Sequence, residues 1–127
     1  MKKWFLILLV VSFCSCSYDK TLLVKSASVI LVNTPTGNQH FVMGDTIRIT
    51  GIVTQTFPIT EVAVHMTDIS NNSEFFHNHF LTNNKLVYDF SSVFAIKDNK
   101  PAAFKVEIEA VDIDGNDSSK DLIITIN

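Results

Sequence analysis

Residues 103–112, with the sequence AFKVEIEAVD, decide the fold of this chain of 127 residues. Apolar and charged side chains alternate along the stretch, with Phe104, Val106, Ile108 and Ala110 on one side and Lys105, Glu107 and Glu109 on the other. Alternation with a period of two is typical of a β-strand that has one face on a core and the other in water. The stretch therefore predicts a half-buried strand.

The segments before and after this strand have similar chemistry. The Asp-Gly-Asn sequence at 114–116 predicts a turn, and the apolar run 122–126 predicts a final strand. Upstream, runs rich in Thr, Val, Ile and Phe lie between turn residues at 26–32, 40–43, 46–54, 60–68, 75–82 and 85–96. We expect Phe57-Pro58 to separate the third run from the fourth, and Asn83-Asn84 to separate the fifth from the sixth.

The number and spacing of these runs indicate the fold class. No stretch of ten or more residues has the apolar periodicity of a helix. About seven or eight short strands separated by turns predict an all-β fold, an immunoglobulin-like antiparallel β-sandwich. The paired cysteines and the core tryptophan of antibody domains have no counterpart in these strands, so the expected likeness is architectural.

The first sixteen residues predict where the protein is located. Lys2 and Lys3 precede the apolar stretch 4–13, which is shorter than the roughly 20 residues that a membrane-spanning helix needs. Cys16 follows the small residue Ser15, as the processing of a bacterial lipoprotein requires, whereas Cys14 follows a bulky phenylalanine. We therefore expect lipidation at Cys16. The alternative is an ordinary cleaved signal peptide that leaves a free cysteine.

These features predict the domain organisation and the membrane attachment. Residues 1–15 form a signal peptide, residues 16–25 contain the lipidated cysteine and a linker, and residues 26–127 form one sandwich domain. Acyl chains on Cys16 would hold the protein at a membrane of the cell envelope, because each buried methylene contributes about 0.8 kcal/mol.

Composition excludes two classes of protein. Cleavage would remove two lysines and no acidic residue, which changes the formal net charge from −3 to −5. An acidic chain without a basic cluster is not expected to bind nucleic acid. Loss of Cys14 and acylation of Cys16 leave no thiol pair for a disulfide, so the hydrophobic core must stabilise the domain unaided.

Three histidines are the main candidates for chemistry in the domain. If residues 60–68 and 75–82 form a hairpin that pairs Met66 with Phe76, then His65 lies directly across from His77. Directly opposed Cβ atoms are about 4.5–5.5 Å apart. His79 is two residues further along and faces the same side. The pattern predicts that His65, His77 and His79, here called the histidine cluster, share one exposed face.

Imidazole groups in this arrangement suit a transition metal. Zinc and copper are the expected ions, and a carboxylate from Asp68 or Glu74 would complete the ligand set. His40 lies far from the cluster in sequence. We expect it to be a loop residue, and the alternative is that it supplies a fourth ligand. The alternative interpretation of the cluster is a solvated polar face or a pH-sensitive patch.

Several short motifs resemble those of one family. The motifs are 61–65 (EVAVH), Asp68, 77–79 (HNH), 104–108 (FKVEI) and 112–116 (DIDGN). They resemble small lipoproteins of the Bacteroidetes group, whose single immunoglobulin-like domain has a His, an Asp and a His-x-His in this order. The resemblance covers roughly residues 26–127. It implies the sandwich fold and a location in the outer membrane of a Gram-negative bacterium, and it implies no activity.

Two other site hypotheses are weaker. Alternating acidic residues around a glycine suggest calcium binding, but the bidentate glutamate that ends an EF-hand loop is missing, so a solvated turn is expected; the residues are Asp112, Asp114, Asn116 and Asp117. No serine, cysteine or threonine has a recognisable nucleophile setting, so we do not expect an enzyme.

The predicted function is a lipid-anchored binding module that holds a metal. The alternative is a structural, adhesion or protein-interaction module that contacts an envelope protein without a metal.

Overall fold

The computed structural model describes residues 27–97 and 101–127. The predicted signal peptide, Cys16 and the whole of the predicted linker lie outside the described residues. The described residues form six strands, which are β1 (Ser28–Thr34), β2 (Gln39–Phe41), β3 (Thr46–Asp68), β4 (Ser73–Ala95), β5 (Ala102–Asp112) and β6 (Asp117–Ile126). Within these ranges no helix has the length and apolar character needed to cross a membrane.

The longest feature is a hairpin in which β3 and β4 pair antiparallel from end to end. Sequence reasoning expected two strands in place of each, divided at Phe57-Pro58 and at Asn83-Asn84. The structure corrects this, because both strands continue through their breaker residues. Pro58 lacks an amide hydrogen, but it lies where the ladder is already interrupted, and its carbonyl accepts a hydrogen bond from the Ile113 amide at 2.9 Å.

The interruption divides the hairpin into two parts with different neighbours. Asn83 and Asn84 take positive φ angles of 55° and 59°, and the register shifts around Ile59 on the facing strand. Extra residues of this kind form a bulge, which bends a strand and increases its twist. The first part of β3 pairs with β1 and the second part with β5. The six strands therefore supply eight strand segments, which agrees with the predicted number.

The segments form the two layers of a β-sandwich, which confirms the predicted fold class. One layer contains β1, the first part of β3 and the second part of β4. The other follows the order β4, β3, β5, β6, β2. All of these pairs are antiparallel except β2 with β6, which is parallel.

The core lies between the layers and takes side chains from both. The fully buried side chains include Ile47, Ile49, Val53, Val62, Val64, Met66, Val106, Ile108 and Ile124. On β5 the even-numbered residues from Phe104 onward are buried, as the alternation in 103–112 predicted. Odd-numbered residues of β5, and of β3 from Glu61 to Thr67, consequently face away from the core. We call this solvent side of the second layer the outer face.

Candidate metal-binding face

The register of the β3–β4 hairpin confirms the pairing that the sequence predicted. Met66 pairs with Phe76, and His65 pairs with His77. Met66 is fully buried, whereas the side chains of His65 and His77 are 27% and 57% exposed. Alternation along both strands therefore places the two imidazoles on the outer face. His79 lies on the same face, opposite Ala63.

The three imidazole rings of the histidine cluster lie close together. The ring centres of His65 and His77 are 6.2 Å apart, with 28° between their planes. His79 stands edge-on to both rings, with its centre 5.8 Å from that of His65 and 5.1 Å from that of His77. Each ring thus neighbours the other two.

Carboxylates hold the Nδ1 side of these rings. His65 Nδ1 lies 2.8 Å from Glu74 Oε1, and His77 Nδ1 lies 3.5 Å from the same oxygen. His79 Nδ1 is hydrogen-bonded to Glu61. A neutral imidazole that donates from Nδ1 has its lone pair on Nε2. The carboxylates therefore favour the tautomer in which Nε2 is available as an acceptor or ligand.

The neighbouring histidines lower the pKa of the Glu74 carboxyl group. The hydrogen bond from His65 holds the pKa of the Glu74 carboxyl below its usual value, and the charges of His77, His65 and His79 act in the same direction. Glu74 is consequently a carboxylate at neutral pH. Of the two carboxylates that sequence reasoning considered as extra ligands, it is the one placed beside the cluster.

Asp68 and His40 lie elsewhere. Asp68 is the last residue of β3, where its carboxylate accepts hydrogen bonds from the Ser70 amide at 2.8 Å and the Ser70 hydroxyl at 2.7 Å. His40 is on β2, where it is hydrogen-bonded to the Thr125 hydroxyl. Strand β2 is four strands from β4, or roughly 19 Å at about 4.8 Å per strand. Neither residue joins the histidine cluster.

The acidic turn after β5 is held by its own hydrogen bonds. The Asp112 carboxylate accepts from the Asp114 and Asn116 amides, each at 2.9 Å, and from the Asn116 side chain. Asp112 is only 2% exposed, so its carboxyl group holds the turn from inside through these hydrogen bonds. These contacts are those of a structural turn.

Sequence reasoning missed the carboxylates that β5 brings to the outer face. Glu107 pairs with His65 and Glu109 pairs with Ala63. His65 Nε2 lies 3.8 Å from Glu109 Oε2. The alternation in 103–112 indicated that both glutamates face outward, but no local signal showed that β5 is the neighbour of the histidine strand. Glu61 was also missed, although the alternation along β3 places it on the same face as His65.

Ala63 is enclosed by these polar side chains. Its neighbours along β3 point to the core, so Ala63 itself points to the outer face, yet it is only 3% exposed. Glu61 and His65 flank it along the strand, and His79 and Glu109 lie across from it. Over residues 27–97 and 101–127, no group of three or more His, Cys, Asp or Glu side chains is placed so that it could hold a metal ion.

Comparison with known proteins supports the fold. No protein-family model matches the chain, and no curated protein matches it. Among solved structures, the fibronectin(III)-like modules of CbhA from Clostridium thermocellum are similar, with a TM-score of 0.54, 14% identity and coverage of 77% of this chain and 94% of that one. The CARDB domain of the PF1109 protein from Pyrococcus furiosus gives a TM-score of 0.49 at 7% identity, covering 80% and 89%. The likeness to the CbhA modules shows that the domain has a β-sandwich fold.

Proposed function

We propose that the domain is a lipid-anchored binding module of the cell envelope that binds a divalent transition metal, zinc or copper, through the histidine cluster. The observation that carries the proposal is the spacing of the rings, whose centres are 5.1–6.2 Å apart. The proposed role is to hold the ion, and it includes no catalysis.

The spacing is close to what a bound ion requires. A zinc–nitrogen bond is about 2.0–2.1 Å, so a ring centre lies roughly 3.2 Å from the ion and two rings on a tetrahedral ion lie roughly 5.2 Å apart. The observed separations are no more than about an ångström larger. Binding of one ion by all three rings would require the side chains to rotate so that their Nε2 atoms turn toward a common point.

The carboxylates of Glu61 and Glu74 support the same proposal. Histidine ligands usually donate their other ring N–H to a carboxylate, which fixes the tautomer and raises the basicity of the ligating nitrogen. His65 and His79 have this contact, and His77 lies within reach of Glu74. We assign these two glutamates to orienting the rings.

Attachment to the membrane is part of the proposal and rests on residues 1–16. The apolar segment and the Ser15-Cys16 pair support acylation at Cys16. The acyl chains would hold the N-terminal side of the domain at the membrane, in the outer membrane according to the resemblance of its motifs to envelope lipoproteins.

A zinc titration tests the proposal. Full-length protein in mild detergent is titrated with ZnCl₂ in a calorimeter, beside a variant that combines His65→Ala, His77→Ala and His79→Ala. We expect the affinity to fall by more than about 100-fold in the variant, because loss of orienting contacts alone costs 10–100-fold. His40→Ala is the matched control and should bind like the wild type. Equal affinity of the wild-type and triple variant would refute the proposal.

A second function is favoured by the outer side of the other layer. Four apolar side chains on β1 and β4 are at least half exposed there, namely Val29, Leu31, Val87 and Val93. Val29 and Val87 flank Thr54, and Leu31 flanks Ile52, so these three side chains lie near one another, whereas Val93 lies further along the layer, opposite Arg48. Adjacent exposed apolar groups are typical of protein contacts. In this alternative, Leu31→Glu abolishes co-purification of an envelope partner, and the triple histidine variant retains it.

A further inference from the structure

The burial of Ala63 by the side chains around it indicates where an ion would be coordinated. An outward-facing alanine in a sheet is ordinarily accessible, but the side chains around Ala63 reduce its exposure to 3%. A longer side chain at this position would fill the space between His65, His79 and Glu109. Alanine leaves that space to the surrounding imidazole and carboxylate groups.

Glu109 stands at a distance from His65 that a metal can span. Their facing atoms, Glu109 Oε2 and His65 Nε2, are 3.8 Å apart, which is too long for a hydrogen bond. Two ligand atoms on one tetrahedral zinc, each about 2.0–2.1 Å from it, lie roughly 3.3 Å apart. Since Glu74 engages His65 at Nδ1, the Nε2 atom that faces Glu109 is the one available for coordination.

The surroundings give the ion access. A surface cavity of about 300 Å³ opens on one side of the cluster, where it is lined by His65 and Glu109 together with Thr67, Asn72, Glu74 and Glu107, and His77 and His79 lie outside its lining. A water molecule takes up about 30 Å³ in the liquid, so the cavity admits a hydrated ion. Unlike Glu109, Glu107 forms an ion pair with Lys105.

We infer that Glu109 is the fourth ligand of the metal, which gives a closed site of three imidazoles and one carboxylate above Ala63. The inference rests on the proposed function. Three nitrogen ligands and one carboxylate oxygen favour zinc or another divalent ion of the late first transition row. Copper(I) prefers thiolate and thioether ligands, and calcium takes 6–8 oxygen ligands, so neither suits this set. A four-coordinate site without an open position is typical of storage or structural metal sites, whereas catalytic zinc retains a water.

Substitutions on β5 test the inference directly. Zinc affinity of the full-length protein is measured for Glu109→Gln and for Glu107→Gln, which removes the same charge from the same face of the same strand. We expect Glu109→Gln to weaken binding about tenfold or more and Glu107→Gln to change it less than about twofold. Ala63→Val retains every ligand and suits a strand, but it should weaken binding by filling the space under the ion.

The outcomes separate this inference from the proposed function. If Glu109→Gln binds zinc like the wild type while the triple histidine variant does not bind, Glu109 is not a ligand and the proposed function stands. If the two glutamate variants lose affinity equally, the effect comes from net charge and the inference is overturned. If the wild type binds no better than the triple histidine variant, both fail. Cobalt(II) provides a second readout, because a tetrahedral site absorbs visible light far more strongly than an octahedral one.

Discussion

His65 and His77 face each other directly across the β3–β4 ladder, with ring centres 6.2 Å apart and ring planes 28° from parallel. A shift of the register by one residue would move one of these side chains into the core. The buried residues Val64 and Met66 prevent that shift, because each would have to leave the core. The hydrophobic pattern thus fixes the position of the candidate ligands.

Zinc should stabilise the folded protein. A ligand that binds only the folded state at 100 times its Kd raises the free energy of unfolding by about 2.7 kcal/mol. We expect this increase in urea unfolding of the wild type. Magnesium at the same concentration should have little effect, because it prefers oxygen ligands. A gain from zinc of the same size in the triple histidine variant would show that the ion acts elsewhere.

The packing of β5 predicts how much stability is lost when a core side chain of this strand is truncated. Ile108 is fully buried between the layers, so Ile108→Ala should lower the free energy of unfolding by about 2–5 kcal/mol. Denaturant unfolding measures the loss. Ile123→Ala is the control, since Ile123 is 47% exposed and its truncation removes much less buried surface. Similar losses in the two variants would contradict the assigned faces of the sheet.

Gly51 tests the contact between β1 and β3. A Cβ atom at this position would lie 2.2 Å from the Leu31 carbonyl oxygen and 2.6 Å from the Phe90 ring. Because the first of these is a backbone atom, Gly51→Ala should displace β1 and cost about 1–3 kcal/mol of stability. Gly37→Ala, where nothing lies within 4 Å, is the matched control. A neutral result for Gly51→Ala would contradict the packing of β1 and Phe90 on this glycine.

The hairpin turn should contribute a stability term that depends on pH. The Ser70 hydroxyl and amide hold the pKa of Asp68 below its ordinary value of 3.8. The folded state therefore gains stability above pH 3.8 and loses it as the pH falls through the lower folded pKa. Asp68→Asn retains an oxygen acceptor without the charge, so the difference in unfolding free energy from the wild type should shrink between pH 6 and pH 3. A constant difference would contradict the lowered pKa.

Substitution of Cys16 tests the proposed membrane attachment. We expect Cys16→Ser to abolish incorporation of labelled palmitate and to move the protein from the membrane fraction toward the soluble fraction, because the acyl chains supply the anchoring energy. Cys14→Ser is the control with the same chemical change two residues earlier. If Cys14→Ser loses the label and Cys16→Ser retains it, the acylated residue is Cys14 and the prediction for Cys16 is wrong.

The sequence predicted the features that depend on local pattern. Alternation around His65 and a short polar turn were enough to place His77 opposite it, because register follows from buried neighbours. The contact between His65 and Glu109 depends on the pairing of β3 with β5, which are separated by the whole of β4. No local pattern encodes that choice of partner. The bend at Asn83 was likewise expected as a strand end, because a bulge and a turn use the same residues.

The most direct test of the proposed site is anomalous diffraction at the zinc absorption edge from crystals of the protein grown with zinc. We expect a peak above Ala63 that lies about 2.0–2.2 Å from nitrogen atoms of His65, His77 and His79 and from an oxygen of Glu109. A peak bound by other residues, such as His40, or the absence of a peak at the histidine cluster under saturating zinc, would contradict it.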